Sequence, residues 1–238
     1  RYMCNCVHIQ LLCAIMKKPT IIILLGLTTI ILVYLFTDIR YTFKLFTVSS
    51  AGNEPTLKIG SILIGTNLKK PKKLDFVFYL QELEGYPEGI WFQRLCGIEN
   101  DTVQIINGTL FVNGKNFDEN LILNHQYKMD KSTANKLLND RKISKKDILE
   151  IKNDTAYLNL SDNIANQYPK KIKRTTRTLN NQEIVSTYGK PWTEENFGPI
   201  VIPKNSLFFL GDNRNYSYDS RFFGFVDEKK VKGVLINK

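Results

Sequence analysis

The chain has 238 residues, of which 43% are hydrophobic and 24% are charged, so it can bury a sizeable core in one elaborated domain or two small ones. This composition excludes a chain that is disordered throughout. The net charge is +10, but the basic residues are spread along the chain without any helix-turn-helix, zinc or RNA-binding signature. Nucleic acid is therefore not an expected partner.

The first fifteen residues stand apart from the rest. Three of the four cysteines, Cys4, Cys6 and Cys13, lie there, and Cys96 alone lies in the body of the chain, which leaves no disulfide framework. Met16, followed by two lysines, is typical of a translation start. We interpret residues 1–15 as an upstream overrun or a disordered leader and leave them out of the fold.

Residues 20–36 are apolar or neutral without a single charge, and at about 1.5 Å per residue a helix of this length approaches the ~30 Å of a bilayer core. Lysines precede the segment, which favours a cytoplasmic amino terminus. A cleaved secretory signal is the alternative, but residues 34–44 contain no cleavage site of small residues. The sequence thus predicts a transmembrane anchor over residues 16–40.

Residues 46–114 and 190–238 are predicted to form a β core domain. Short apolar runs at 61–65, 76–80 and 90–95 are separated by turn residues, and further runs follow at 200–202 and 207–210. Asn107-Gly108 separates two alternating segments, 102–106 and 109–112, and this pair readily supplies the positive φ angles of a type I′ hairpin.

Residues 115–189 are polar and lysine-rich, and we interpret them as an inserted α+β subdomain. Short helices are expected at 134–141 and 147–151, the second capped by Ser144. The basic cluster at 170–174 is expected to be a solvated loop, with an anionic lipid surface as the alternative. His125 is expected to lie at the surface.

Three motifs carry the chemistry of the chain. Residues 49–57 read SSAGNEPTL, residues 92–97 read FQRLCG, and residues 211–225 read GDNRNYSYDSRFFGF. In this order, and after an amino-terminal anchor, the motifs resemble the signal peptidase I family, membrane-anchored serine proteases that remove signal peptides with a serine and a lysine. The resemblance implies a mainly β, coiled domain with a variable insertion, and it implies no cofactor or metal.

Position by position, the resemblance places the nucleophile at Gly52 and the lysine general base at Gln93. Ser50 matches the serine whose hydroxyl assists the oxyanion hole, and Ser217 matches the serine that orients the lysine. The charged residues that brace the family's site match Arg94, Asp212, Arg214, Asp219 and Arg221.

The two substitutions remove the chemistry that the family uses. Glycine has no side-chain oxygen, and an amide oxygen such as that of Gln93 is too weakly basic to take a proton at neutral pH. We therefore expect an impaired or inactive relative with a binding or regulatory role. The alternative is an active peptidase with Ser50 or Ser49 as nucleophile, although two residues along a strand move an oxygen by about 6 to 7 Å.

The resemblance also implies where the protein acts and what it meets. Signal peptides or exported precursors and membrane lipid are the expected partners, and an active signal peptidase is a further one. The expected location is the cytoplasmic membrane, crossed once, with the carboxy-terminal domain on the outer face.

Overall fold

The computed structural model describes residues 18–83, 86–176 and 181–237, and the chain divides into two compact units, residues 1–42 and 43–238. The leader predicted at residues 1–15 lies outside the described residues. In the first unit, helix α1 spans Lys18–Phe36 and a 3₁₀ helix follows at Asp38–Tyr41. Within the described part of the chain, no helix combines the length and hydropathy needed to cross a membrane.

The second unit is mainly β, as the predicted fold class states, whereas the transmembrane helix of that prediction is not found among the described helices. Its strands are β1 Lys44–Thr47, β2 Ile62–Thr66, β3 Phe76–Leu83, β4 Tyr86–Gly97, β5 Thr102–Ile106, β6 Thr109–Val112, β7 Lys115–Asn116, β8 Asn124–Asp130, β9 Ile148–Lys152, β10 Thr155–Ser161, β11 Lys173–Arg174, β12 Phe197–Val201, β13 Ser206–Leu210, β14 Val226–Asp227 and β15 Val231–Leu235. Its helices are α2 Lys131–Asn139, α3 Asp162–Ala165, α4 Gln182–Tyr188 and α5 Ser220–Phe223.

The main sheet has the order β1-β2-β15-β3-β4-β13-β14, with antiparallel pairing throughout. Strand β13 is buried on both faces because its successive side chains enter two different hydrophobic clusters. Phe208 packs with Phe197 in one cluster, and Phe209 packs with Tyr79 in the other. Such two-sided burial explains the uninterrupted apolar run at the end of this strand.

The Asn107-Gly108 hairpin forms as predicted. Strands β5 and β6 pair from Val103 opposite Val112 to Ile106 opposite Thr109, and the two turn residues have φ angles of 47° and 75°. These left-handed angles are the ones that asparagine and glycine adopt at least cost. The hairpin belongs to a third sheet with the order β12-β5-β6-β7.

A second sheet, β11-β8-β10-β9, lies within the region predicted as an insertion and packs its own cluster around Met129, Leu137 and Leu158. Helix α4, in contrast, packs Ile184 into the cluster that contains Phe208. The boundaries of the insertion, 115–189, stay a prediction.

One predicted helix of this region is wrong. Ser144 does form a capping box with Asp147, but the 3₁₀ helix there ends after one turn and continues as strand β9. A two-residue turn, with Asn153 at φ 54°, then returns the chain into β10. Five residues bounded by such a turn are too few for a stable helix, whereas pairing with β10 satisfies their backbone.

The expectation that His125 lies at the surface is also wrong. His125 is 1% exposed, and its Nδ1 lies 2.7 Å from a carboxylate oxygen of Asp162, which also accepts the hydroxyl of Tyr127 at 2.7 Å. Burial lowers the pKa of His125; the carboxylate of Asp162 opposes this change, and the charges of Arg174 and Arg214 add to it. The folded protein therefore holds this imidazole in its neutral form.

We expect the stability of the second unit to fall as the pH is lowered from 7.5 to 5. An unfolded histidine binds a proton near pH 6.5, whereas buried His125 does not, so the unfolded state gains protons first and the free energy of unfolding decreases by at most about 1.4 kcal/mol per pH unit. Urea unfolding at several pH values measures this loss. The slope of the free energy of unfolding against pH should be shallower in His125→Gln. Equal slopes in both proteins would contradict a neutral His125 in the folded state.

Candidate functional site

Gly52, where the family resemblance predicts the nucleophile, lies in a short 3₁₀ helix, Ala51–Asn53. Its backbone is outside the left-handed region, and a Cβ built on it would lie no closer than 3.7 Å to the nearest atom, the Cα of Ser217. The Oγ of Ser217 would be 3.8 Å away. Neither conformation nor space therefore requires glycine here, and a side chain with an oxygen would fit.

Gly211 shows what a structurally required glycine looks like. A Cβ at Gly211 would lie 2.2 Å from the Oγ of Ser217 and 2.3 Å from the carbonyl oxygen of Gly52. That carbonyl accepts the backbone N–H of Asn213 at 3.1 Å, and the side chain of Asn213 donates to the carbonyl of Ala51 at 3.0 Å. Gly211 thus lets residues 211–225, which we call the downstream motif, pack directly against the segment that contains Gly52.

Gln93, where the family resemblance predicts the general base, lies on β4 and is 4% exposed. Its Nε2 donates to the Oγ of Ser217 at 3.2 Å and to the carbonyl of Tyr218 at 2.7 Å. Its Oε1 accepts the hydroxyl of Tyr79 at 2.5 Å. Burial raises the pKa of Tyr79 well above its ordinary value, so this hydroxyl keeps its proton and remains a donor.

The structure therefore brings Gly52, Gln93 and Ser217 together, as the resemblance implies, but with an amide in place of an amine. An amide both donates and accepts, which suits a partner set of one hydroxyl donor and two acceptors. A lysine ammonium would satisfy the two acceptors and could not accept from Tyr79. The hydrogen bonds around Gln93 are thus matched to glutamine.

These residues border a pocket of about 350 Å³. Its lining consists of Ser49, Ser50, Gly52, Asn53, Ile90, Trp91, Phe92, Gln93, Tyr216, Ser217 and Tyr218. Apart from the two tyrosines, no residue in this described lining titrates. Burial and a bond to Glu183 raise the pKa of Tyr218 to about 12, so it is not a base near neutral pH. We call this cavity the Gly52 pocket.

Ser50 and Ser49, the two alternative nucleophiles, are exposed and line the same pocket. Ser50 precedes the 3₁₀ helix and forms no side-chain hydrogen bond that caps it. Its predicted contribution to an oxyanion hole stays a prediction.

The bracing residues are buried and paired, and none of them lines the Gly52 pocket. Arg94 binds Asp212 through two hydrogen bonds, Nε to Oδ1 at 2.7 Å and Nη2 to Oδ2 at 2.5 Å. The same carboxylate accepts the hydroxyl of Thr56 at 2.5 Å, and the guanidinium of Arg94 lies 4.4 Å from the ring centre of Phe76. This pair ties β4, next to Gln93, to the downstream motif.

A second buried pair lies within the downstream motif. Arg221 binds Asp219 through Nε and Nη2, both at 2.8 Å, and also donates to the carbonyl of Arg214 at 2.6 Å. Arg214 itself pairs with Asp118, at 2.5 and 2.8 Å. These bonds fix the backbone on both sides of Ser217.

Several residues complete the site without any signal in the sequence that points to them. Asp118 and Thr56 supply partners to the motif charges, and Tyr79 supplies the donor to Gln93. Asn53 donates to the carbonyl of Phe92 at 2.7 Å and thereby joins the Gly52 segment to β4. Each lies outside the downstream motif, and each makes its contact across a long sequence separation that spacing does not reveal.

We expect Asp212→Asn to lower the free energy of unfolding by about 3 to 5 kcal/mol, because it leaves Arg94 buried without a counter-charge. Lys69→Gln is the control, since it removes a half-exposed partner of Asp75 at 3.1 Å and should cost less than about 1 kcal/mol. Chemical denaturation of both variants measures the difference. Equal losses would show that the buried pair does not hold the site together.

Comparison with known proteins identifies the family of the chain. Residues 20–236 match the family model described as signal peptidase, peptidase S26. The chain is 26% identical over 223 residues to signal peptidase I P of Bacillus subtilis subsp. natto, covering 92% of this chain and 88% of the relative. It is 23% identical over 218 residues to a probable signal peptidase I-2 of Synechocystis sp., covering 88% and 69%.

A crystal structure of a signal peptidase I from Enterococcus faecalis V583 is similar at 23% identity and a TM-score of 0.35, covering 71% of this chain and 98% of that one. The family model spans nearly the whole described chain, from α1 to the strand after the downstream motif. The chain belongs to the signal peptidase family, peptidase S26.

Proposed function

We propose that this protein binds the cleavage region of signal peptides in the Gly52 pocket and does not cleave them. The observation that carries the proposal is the pairing of Gly52, which has no side-chain oxygen, with Gln93, whose amide nitrogen and oxygen are both hydrogen-bonded. Serine proteases that lose nucleophile or base lose on the order of a millionfold in turnover. A protein of this kind would compete with an active signal peptidase for the same precursors.

An unpaired strand edge supports the binding role. Strand β13 pairs with β4 only from Arg94 to Gly97, so among the described strands none pairs with that side of β4 at Ile90 and Trp91, while the carbonyl of Phe92 accepts the side chain of Asn53. Ile90, Trp91 and Phe92 line the Gly52 pocket. An extended peptide could add there as a further strand, with main-chain hydrogen bonds for affinity and the pocket for side-chain selection.

The second candidate is an active peptidase that uses Ser50. It is favoured by the position of this hydroxyl in the lining of the pocket. It lacks a base, because the described lining contains no lysine, histidine or carboxylate and Gln93 cannot take a proton. The binding role therefore fits the chemistry of the pocket better.

We expect the double variant Gly52→Ser/Gln93→Lys to cleave a signal-peptide substrate at least about a thousandfold faster than the unmodified protein. The serine fits because a Cβ at position 52 meets nothing closer than 3.7 Å, and the lysine amine can donate to Ser217 and Tyr218. Desolvation should then lower the pKa of this amine enough for it to act as a base. Mass spectrometry of the products measures cleavage.

Gly52→Ala/Gln93→Lys is the matched control, since it supplies the amine and the side-chain bulk without the oxygen and should remain inactive. The unmodified protein should bind the peptide and leave it intact. Cleavage by the unmodified protein that disappears in Ser50→Ala would instead establish the second candidate.

We further propose that helix α1 holds the second unit at the membrane. The side chains at 19–35 are all exposed, and apolar residues such as Ile22 and Ile30 are 68% and 66% exposed. The hydroxyls of Thr28 and Thr29 donate to the carbonyl of Leu25, which satisfies them inside the helix. From residue 19 to residue 36 the helix contains no charged residue, so its exposed apolar side chains suit a lipid environment.

The single crossing expected from the sequence predicts that protease added to intact cells degrades the second unit, because Lys17 and Lys18 favour a cytoplasmic amino terminus. Immunodetection of a carboxy-terminal tag measures this. A carboxy-terminal unit that resists protease until the cells are lysed would reverse the orientation.

A further inference from the structure

A second cavity, of about 720 Å³, adjoins the Gly52 pocket. Tyr216, Ser217 and Tyr218 line both, so the two cavities share one three-residue segment. The rest of the second lining comes from Lys146, Ile148, Leu149, Asn181, Glu194, Asn215 and Phe222. We call this cavity the β9 trough, because it contains the first residues of strand β9.

Strand β9 is an edge strand. It pairs with β10 on one side, and on its other side none of the described strands pairs with it. It also exposes apolar side chains, since Leu149 is 36% and Ile151 is 45% exposed. An exposed edge of this kind invites pairing with another chain, and proteins usually protect it with charges, bulges or a cover.

A bulge directs Leu149 into the trough. Ile148 pairs with Leu158 and Glu150 pairs with Tyr157, so Leu149 is an extra residue between two consecutive pairs. Such bulges bend the strand and re-aim a side chain. Leu149 therefore lines the cavity together with the rings of Tyr216 and Phe222.

Two contacts fix this edge beside the Gly52 pocket. The Nζ of Lys146, just before β9, lies 3.9 Å from a carboxylate oxygen of Glu54, just after the Gly52 helix. Asn215, two residues before Ser217, accepts the backbone N–H of Gln126 from the second sheet at 2.9 Å. The second sheet and its flanking residues thus contact the chain just after Gly52 and just before Ser217.

From this continuity we infer that the β9 trough is a second peptide subsite, in which a polypeptide bound in the Gly52 pocket continues over Tyr216–Tyr218 and pairs with the edge of β9. The inference rests on the proposed function. Lys146 and Glu194 bring opposite charges to the trough, so it selects for no net charge, and Leu149 and Phe222 favour an apolar side chain. The ligand class is an extended polypeptide longer than the Gly52 pocket alone accommodates.

Two labelled peptides from the cleavage region of a secretory precursor test this with the full chain in detergent micelles. A peptide of about six residues spans about 20 Å when extended, and one of about twelve spans about 40 Å, enough to reach the trough. Fluorescence anisotropy should show that the longer peptide binds about tenfold more tightly. Methylation of every second backbone nitrogen in the residues that only the longer peptide contains should remove this gain in affinity, because the methyl groups block strand pairing.

Leu149→Asp should also remove the gain and leave the affinity of the short peptide unchanged. Val201→Asp is the matched control, since Val201 is 56% exposed on β12, an edge strand of the third sheet that does not line the trough. Thermal unfolding of both variants checks that they fold alike.

Equal affinities of the two peptides for the unmodified protein would overturn the subsite and leave the proposed function standing. The same would follow if Leu149→Asp left the affinity for both peptides unchanged, or if it lowered both affinities by the same factor. Failure of the short peptide to bind at all would overturn the proposed function itself, and the subsite with it.

Discussion

The buried pair of Arg94 and Asp212 is the constraint on which the geometry of the site depends. Arg94 follows Gln93 on β4, and Asp212 follows Gly211 at the start of the downstream motif, so the two bonds between them bring both segments into contact. Because a buried charge without its partner is strongly unfavourable, neither residue can change alone. The pair therefore preserves the positions of Gln93 and Ser217 whether or not any chemistry takes place between them.

Two glycines lie beside Ser217, and only one of them is required by the fold. Gly211 has no space for a Cβ, because the Oγ of Ser217 and the carbonyl of Gly52 occupy that space. Gly52 has the space and an ordinary backbone conformation. The fold thus requires Gly211, but it does not require Gly52. The absence of a side-chain oxygen at position 52 therefore concerns function and not folding.

Local patterns in the sequence predicted the local structure well. The Asn107-Gly108 turn and the apolar run ending at Leu210 were readable because turn chemistry and two-sided burial leave a mark over a few residues. The helix predicted at residues 147–151 is wrong because this segment becomes a strand only through its pairing with β10. The partner of Arg214, and the burial of His125 against Asp162, likewise depend on contacts between distant segments that no short window contains.

Binding and cleavage make different demands on this site, and the proposed binding of peptide requires neither a nucleophile nor a base. An extended peptide would be held by the open edge of β4 and by the walls of the pocket, and none of these contacts involves a nucleophile. Only groups that interact more strongly with the transition state than with the bound peptide accelerate the reaction. A serine oxygen and a neutral amine are such groups, so their replacement by Gly52 and Gln93 can abolish turnover while the affinity for peptide remains.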